Sequence, residues 1–389
     1  MAVKMSSRER VITALNHEEP DRVPLDIGGG CSTSISVEAY DALKRYLGIS
    51  APNNTLSSLF RIALLDENVM QSLGSDCRPL TSKSFSNWKP PSSEPGTLID
   101  EWGITWKQIP FKGGYYWEAV RNPLAKASID DLEKYHWPDP TDPGLTLGLA
   151  EEAKALYEDT DYAIVADSGY QNFWEPAYLM RGFDKMLIDL VRNPEFVSVL
   201  MSKILEINTT ITSRFLDAVG PYVQVIRTSD DLSTQGGLMF PPETYRALIK
   251  PFHKKFFDSI KQKTKARIFF HSCGNVTQLI DDLVEIGVSI INPVQVSALG
   301  DTAKLKAKFG KKVSFWGGID TQHVLPRGSV EEVENEVRHR LHDLAPGGGY
   351  VLAAVHNIQA DVPPQNIVAM SAAAKKFGAY PINKSTQMV

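Results

Sequence analysis

The sequence predicts an α/β fold, a (β/α)8 TIM barrel with an elaborated N-terminal region, built as one domain over residues 1–389. Three observations carry that expectation. From Leu145 onward, short apolar strands alternate with amphipathic helices at least six times, the pattern of repeated βα units. The strands are apolar throughout, as when both faces of a parallel sheet are covered. No Gly-x-Gly-x-x-Gly turn opens a helix after any strand, which leaves a dinucleotide-binding, doubly wound sheet without support.

The elements follow in order. "SSRERVITALNHE" reads as a helix capped by Ser6 or Ser7, because a serine oxygen can accept from the first free backbone N–H groups. "DRVPLDIGGG" reads as a strand, Val23 to Ile27, ending in glycines that allow a close backbone approach. Residues 50–143 are irregular, with "KPPSSEPG" and "WPDPTDPG" around strand candidates such as Thr97–Trp106, and are read as loops and a hairpin within the barrel. The regular part begins with the helix "GLAEEAKALYED", the strand "YAIVADSG" and a long helical stretch from about Trp174. Strands are then expected in "YVQVIRTSDD", "ARIFFHSCG", "SIINPVQ", "VSFWGGID" and "GYVLAAVHN". The intervening helices include "PPETYRALIKPFHKKFFDSIKQK", whose prolines sit where a missing N–H costs nothing. With "VPLDI" and one strand from the irregular region, the count reaches about eight.

Composition narrows the function classes. The chain is 43% hydrophobic and 22% charged, with a formal charge of −5. It has no basic cluster of the kind that tracks a phosphate backbone, so nucleic acid is not expected as a partner. The N-terminus lacks the apolar core of a signal peptide. No apolar run approaches the roughly 20 residues that span a bilayer. Three widely spaced cysteines, Cys31, Cys77 and Cys273, make no disulfide framework, and a cytoplasmic location is expected.

In a barrel of this kind the chemistry collects at the C-terminal ends of the strands. The residues there are polar: Asp26 and Gly28–Cys31; Asp167, Ser168, Gln171, Asn172 and Glu175; Arg227, Ser229, Asp230 and Asp231; His271 and Cys273; Asn292 and Gln295; Trp316 and Asp320; and His356, Asn357, Gln359 and Asp361. The turns at the other end ("KTKAR", "EIGVS", "FGKKV", "PGGGY") carry mainly glycines and lysines.

His271 and Cys273 stand two apart, so both side chains leave the strand on one side. An imidazole nitrogen at about 2.0–2.1 Å and a thiolate at about 2.3 Å can then share one zinc ion. The alternative is a buried small residue beside a hydrogen-bonded histidine. His356, at the end of another strand, is the best third ligand by position. Cys31 is its rival, and Glu175, Asp230 and Asp231 are weaker ones. Arg227 either braces Asp230 or Asp231 or orients a polar substrate. Trp316 and the aromatic residues of "SGYQNFWEPAY", Tyr170 among them, are either core or the wall of a flat-ring site. His253 and His323 are expected in solvent.

Four stretches resemble the uroporphyrinogen decarboxylase superfamily: "RERVITALNHEEPDRVPLD", "FFHSCGNVTQLIDDLVEIGVSIINPVQ", "VSFWGGIDTQHVL" and "GGGYVLAAVHNIQADVPPQNIVAM". The resemblance implies a (β/α)8 barrel. The decarboxylases carry an arginine-rich motif after the first strand to grip carboxylates; here that place reads "DIGGGCSTS". The His-x-Cys element is instead similar to the zinc-containing, corrinoid-dependent methyltransferases of the superfamily. Those that methylate a thiol add a later cysteine, where this chain offers His356. Imidazole in place of thiolate leaves more positive charge on zinc, which suits polarising an oxygen.

The resemblance therefore implies a methyltransferase that moves a methyl group from a small methylated substrate, such as an aryl methyl ether, to the cobalt of a separate corrinoid protein. Zinc is the expected metal, on His271, Cys273 and His356. Asp230, Asp167 and Arg227 are expected to bind substrate or deliver a proton, and Asn172, Tyr170, Trp316, Gln295 and Asn357 to line it. The partners are the substrate and the corrinoid protein, without nucleic acid or membrane, and a homodimer is left open. Methyl transfer from methylcorrinoid to a thiol, decarboxylation, and a non-catalytic binding barrel are the alternatives.

Overall fold

A computed structural model describes residues 5–89, 91, 94–111, 114–170 and 172–382; Gln171 lies outside them. Its centre is a curled parallel sheet. The strands are β1 (Cys77–Thr81), β2 (Ala163–Asp167), β3 (Val225–Ser229), β4 (Arg267–His271), β5 (Ile290–Asn292), β6 (Ser314–Ile319) and β7 (Tyr350–Ala354). Consecutive strands in this order pair in parallel, with β1 and β7 at the edges. A doubly wound sheet would reverse its strand order part-way, and this one does not.

The two edges of the sheet meet the same piece of chain. Leu352 N–H donates to Pro24 O (2.9 Å) and Asp26 N–H to Leu352 O (2.9 Å), while Asp76 N–H, just before β1, donates to Leu25 O (2.7 Å). Val23–Ile27, expected as a full strand, thus forms one isolated bridge, Leu25 to Leu352 of β7, and on its other side takes the hydrogen bond from Asp76. Its side chains Val23, Leu25 and Ile27 are buried.

The apolar strand runs follow from a core on each side of the sheet. Cys77, Ala163, Val165, Val225, Phe269, Ile290, Trp316, Val351 and Ala353 pack together inside the curl. Their neighbours in sequence, such as Ile164, Ile226, Phe270, Phe315 and Leu352, pack outward under the helices. Strand side chains alternate with a period of two, so Asp167, Arg227, His271 and Asn292 share the inward parity of the residues two before them. Val11 and Leu15 of the helix Ser7–Leu15 join the inner cluster. Each aliphatic side chain so buried contributes roughly 1.5–3 kcal/mol. The helix starts as the sequence predicts, with Ser6 and Glu9 capping each other's backbone N–H.

Three local differences from the sequence reading have physical causes. The strand drawn from the irregular region is Cys77–Thr81, whereas Thr97–Ile99, Thr105–Phe111 and Gly114–Arg121 form a separate antiparallel sheet. Trp102 and Trp106 anchor that sheet in the main core. The long helical stretch divides into Trp174–Arg181, Phe183–Arg192 and Pro194–Val219, broken at Gly182 (φ 102°) and Pro194. Finally, a π-turn at Tyr245–Ile249 precedes the helix Lys250–Lys263, as expected where Pro251 lacks an N–H and crowds the carbonyl four residues back. No helix among the described residues is long and apolar enough to cross a membrane.

Candidate metal centre

β4 ends at His271, and the inward parity continues to Cys273. The His271 Nε2 lies 3.5 Å from the Cys273 Sγ. Ligands at about 2.05 Å and 2.3 Å from a tetrahedral ion stand about 3.5 Å apart, so this pair is already at ligand spacing. His356 follows β7, and its ring meets that of His271 edge-on, with centroids 5.5 Å apart. The ligand atoms of His271, Cys273 and His356 all lie within 4.8 Å of one another. A metal ion such as zinc could be held there by three protein ligands, leaving a position free for another group.

The electrostatics prepare these groups for a cation. Burial, the second imidazole and the Arg227 guanidinium hold His271 well below the usual histidine range. Burial and Arg227 also lower His356, so both rings are neutral at pH 7 with lone pairs available. Burial, Asp231 and Glu175 push the Cys273 thiol upward, so metal uptake would release its proton. A doubly charged ion compensates what burial of a lone thiolate would cost.

A profile of the uroporphyrinogen decarboxylase (URO-D) family matches residues 120–377. The chain belongs to the uroporphyrinogen decarboxylase family. A curated uroporphyrinogen decarboxylase from Magnetococcus marinus is 24% identical over 263 residues, 64% of this chain and 68% of that one. Among solved structures, a methyltransferase from Methanosarcina mazei superposes with a TM-score of 0.64 at 18% identity, covering 96% of this chain and 99% of that chain. That likeness establishes a shared fold across nearly the whole length.

In this member of the uroporphyrinogen decarboxylase family, the glycine segment after Ile27 is packed inward. A side chain at Gly28 (φ +94°) would meet Leu65 at 2.7 Å, and one at Gly29 would meet Asp26 Oδ1 at 2.4 Å. Asp26 is buried and pushed up to about 6 by that burial, and it accepts from the Trp316 indole at 3.0 Å. Trp316, expected against substrate, is fully enclosed and edge-on to Phe269. Cys31 lies near Asp167 and Arg227, and burial pushes its thiol up to about 12. It stands outside the group of converging ligand atoms, as do Glu175, Asp230 and Asp231.

Arg227 pairs with Asp167 at 3.1 Å and donates to Ser32 Oγ at 2.9 Å, bracing neither Asp230 nor Asp231. Asp230, just after β3, is held by backbone and imidazole donors. Its oxygens accept from the N–H groups of Phe173, Trp174 and Glu175 at 2.8–3.0 Å and from His253 Nε2 at 2.9 Å. It therefore caps the helix Trp174–Arg181. His253, expected in solvent, is fully buried, with Nδ1 3.2 Å from the Tyr245 hydroxyl. Asp231 receives the Cys273 N–H at 2.8 Å.

Three of the other expected lining residues have structural partners. Tyr170 donates to Glu101 and packs edge-on against Phe85. Asn172 donates to Glu175 Oε2 at 3.0 Å, and Glu175 is raised to about 7 by burial, Asp231 and Asp230. Gln295 accepts the Gly274 N–H at 2.7 Å. Asn357 differs: its Oδ1 is buried and has no hydrogen-bond partner among the described residues. Sequence reasoning missed the His253–Asp230 contact because the period of a helix does not say which face a histidine buries.

Proposed function

We propose that this chain is the substrate-specific methyltransferase of a corrinoid-dependent system, acting from a closed, single-domain (β/α)8 barrel. The segment Val23–Ile27 takes the eighth position, and residues 50–143 elaborate the entry side. The single observation that carries the reading is the convergence of His271, Cys273 and His356 within 4.8 Å. Zinc bound there would supply Lewis acidity toward the oxygen of a methyl ether.

The chain's own groups would do the rest. Asp231 and Asn292 hold the backbone of Cys273 and the ring of His271 in place. The Arg227–Asp167 pair orients the polar part of the donor. Glu175, raised to about 7, is partly protonated at neutral pH and can give its proton to the departing alcohol or phenol. The methyl carbon passes to cobalt(I) on a separate corrinoid protein, and the C–O electron pair stays on oxygen. The missing arginine motif argues against gripping several carboxylates, because buried carboxylates need compensating charge.

Metal analysis of the wild type and Cys273→Ser tests the centre. Methyl transfer to cob(I)alamin from methoxylated aromatics, methylamines and methyl thiols tests the activity. A protein that carries no metal, transfers no methyl group and turns over a porphyrinogen would return the reading to decarboxylation.

A further inference from the structure

We propose that the turn Asn292–Gln295 is the positioning device of the candidate metal centre: Asn292 sets the tautomer of His271, and Gln295 sets the loop that carries Cys273. The consequence for metal binding rests on the reading above, whereas the geometry stands by itself.

β5 ends at Asn292, whose inward parity carries its amide toward the end of β4. Asn292 Nδ2 donates to Trp316 O at 2.9 Å, and a carbonyl can only accept, so the other end of the amide is the oxygen. That Oδ1 faces His271 Nδ1, and only an N–H can meet it. The imidazole proton is therefore on Nδ1, and the lone pair is on Nε2, the nitrogen beside the Cys273 sulfur. A metal-ligating histidine needs this arrangement, and its partner is a carboxylate, carbonyl or water in most sites.

The same turn fixes the loop after His271. Ser272 N–H donates to Asn292 O at 3.0 Å, and Gly274 N–H donates to Gln295 Oε1 at 2.7 Å. Asp231 and Ser233 take the N–H and the carbonyl of Cys273 at 2.8 and 2.7 Å. Gly274 has φ +84°, and a Cβ there would stand 2.4 Å from Thr234 O, so the loop is also closed from behind. The turn is itself seated on β6. Gly318 N–H donates to Pro293 O at 3.1 Å, and Gly317 leaves room for that oxygen, since a Cβ would lie 2.0 Å from it. Val294, between the two positioning residues, has φ 55°. A β-branched residue keeps that conformation only where its surroundings over-determine it.

The test uses the full chain and two kinds of readout. Nitrogen shifts of labelled histidine in the metal-free protein at neutral pH report the tautomer of His271. Chelator competition for zinc, with the thiolate-to-cobalt band of the cobalt-substituted protein, reports ligand placement. The wild type is expected to show the Nδ1–H tautomer. Asn292→Leu is expected to lose it and to bind zinc about 10–100-fold more weakly. Asn292→Asp keeps an acceptor against Nδ1 and retains the tautomer. Gln295→Met leaves the tautomer alone, weakens zinc about 10-fold and shifts the cobalt band.

An Nε2–H tautomer in the wild type overturns the role of Asn292 without any variant having to fold. Wild-type zinc affinity and cobalt spectrum in both Asn292→Leu and Gln295→Met overturn the positioning claim. If the wild type binds no zinc, the metal reading fails, and the tautomer measurement still decides what Asn292 does.

Discussion

Replacing His356 by alanine removes one of three converging ligand atoms and little else. The residue is only partly buried, so the truncation opens no sealed cavity. Zinc sites with four protein ligands bind with about 10–16 kcal/mol, or roughly 3 kcal/mol for each ligand. Losing one ligand of three should raise the zinc Kd by about 100-fold at pH 7, since about 1.4 kcal/mol is tenfold. Competition against a chelator of known affinity measures this directly. Cys31→Ala is the control, because Cys31 lies outside the converging group, and its Kd should stay within about twofold of wild type. A His356→Ala protein that keeps wild-type affinity, or a Cys31→Ala protein that loses it, would refute the ligand assignment and with it the argument from imidazole to a stronger Lewis acid.

Further predictions concern the scaffold. Asp230→Asn puts an N–H donor where Asp230 now accepts three backbone N–H groups and His253. The expected cost is about 3 kcal/mol in urea unfolding, and a change under about 0.5 kcal/mol would contradict the capping role. Gly317→Ala must fit a Cβ 2.0 Å from Pro293 O at φ +125°. It should destabilise the fold by about 2–4 kcal/mol and weaken zinc binding through the displaced turn, measured by denaturation and chelator competition. Asp100 is raised from 3.8 to about 6, chiefly by burial. The folded carboxyl then holds its proton up to about 6 while the unfolded one releases it near 3.8, so stability falls as pH rises through that window. The total is about 3 kcal/mol. Asp100→Asn should flatten this part of the curve, and parallel wild-type and variant profiles between pH 4 and 6 would count against it.

The regular half of the chain was legible from Leu145 onward because its signals are local. Apolar runs of strand length, amphipathic helices between them and proline at helix starts each depend on neighbours a few residues away. The inward pairing of His271 with Cys273 was legible for the same reason, since it follows from a period of two. The irregular region was not. Cys77–Thr81 mixes Arg78 and Pro79 into a five-residue strand, and its place between Val23–Ile27 and β2 depends on partners far away in sequence.

The sequence by itself determined the alternation of elements and the end of the strands at which polar residues gather. Only the tertiary structure decided which of those residues meet. His356 comes to His271 and Cys273 across 83 residues because the sheet curls and brings the end of β7 toward the end of β4. The same curl sends Asp230 to a helix N-terminus and closes Trp316 inside the core. Side-chain parity is a property of one strand, whereas convergence is a property of how all the strands are wound, and no short stretch of sequence contains that.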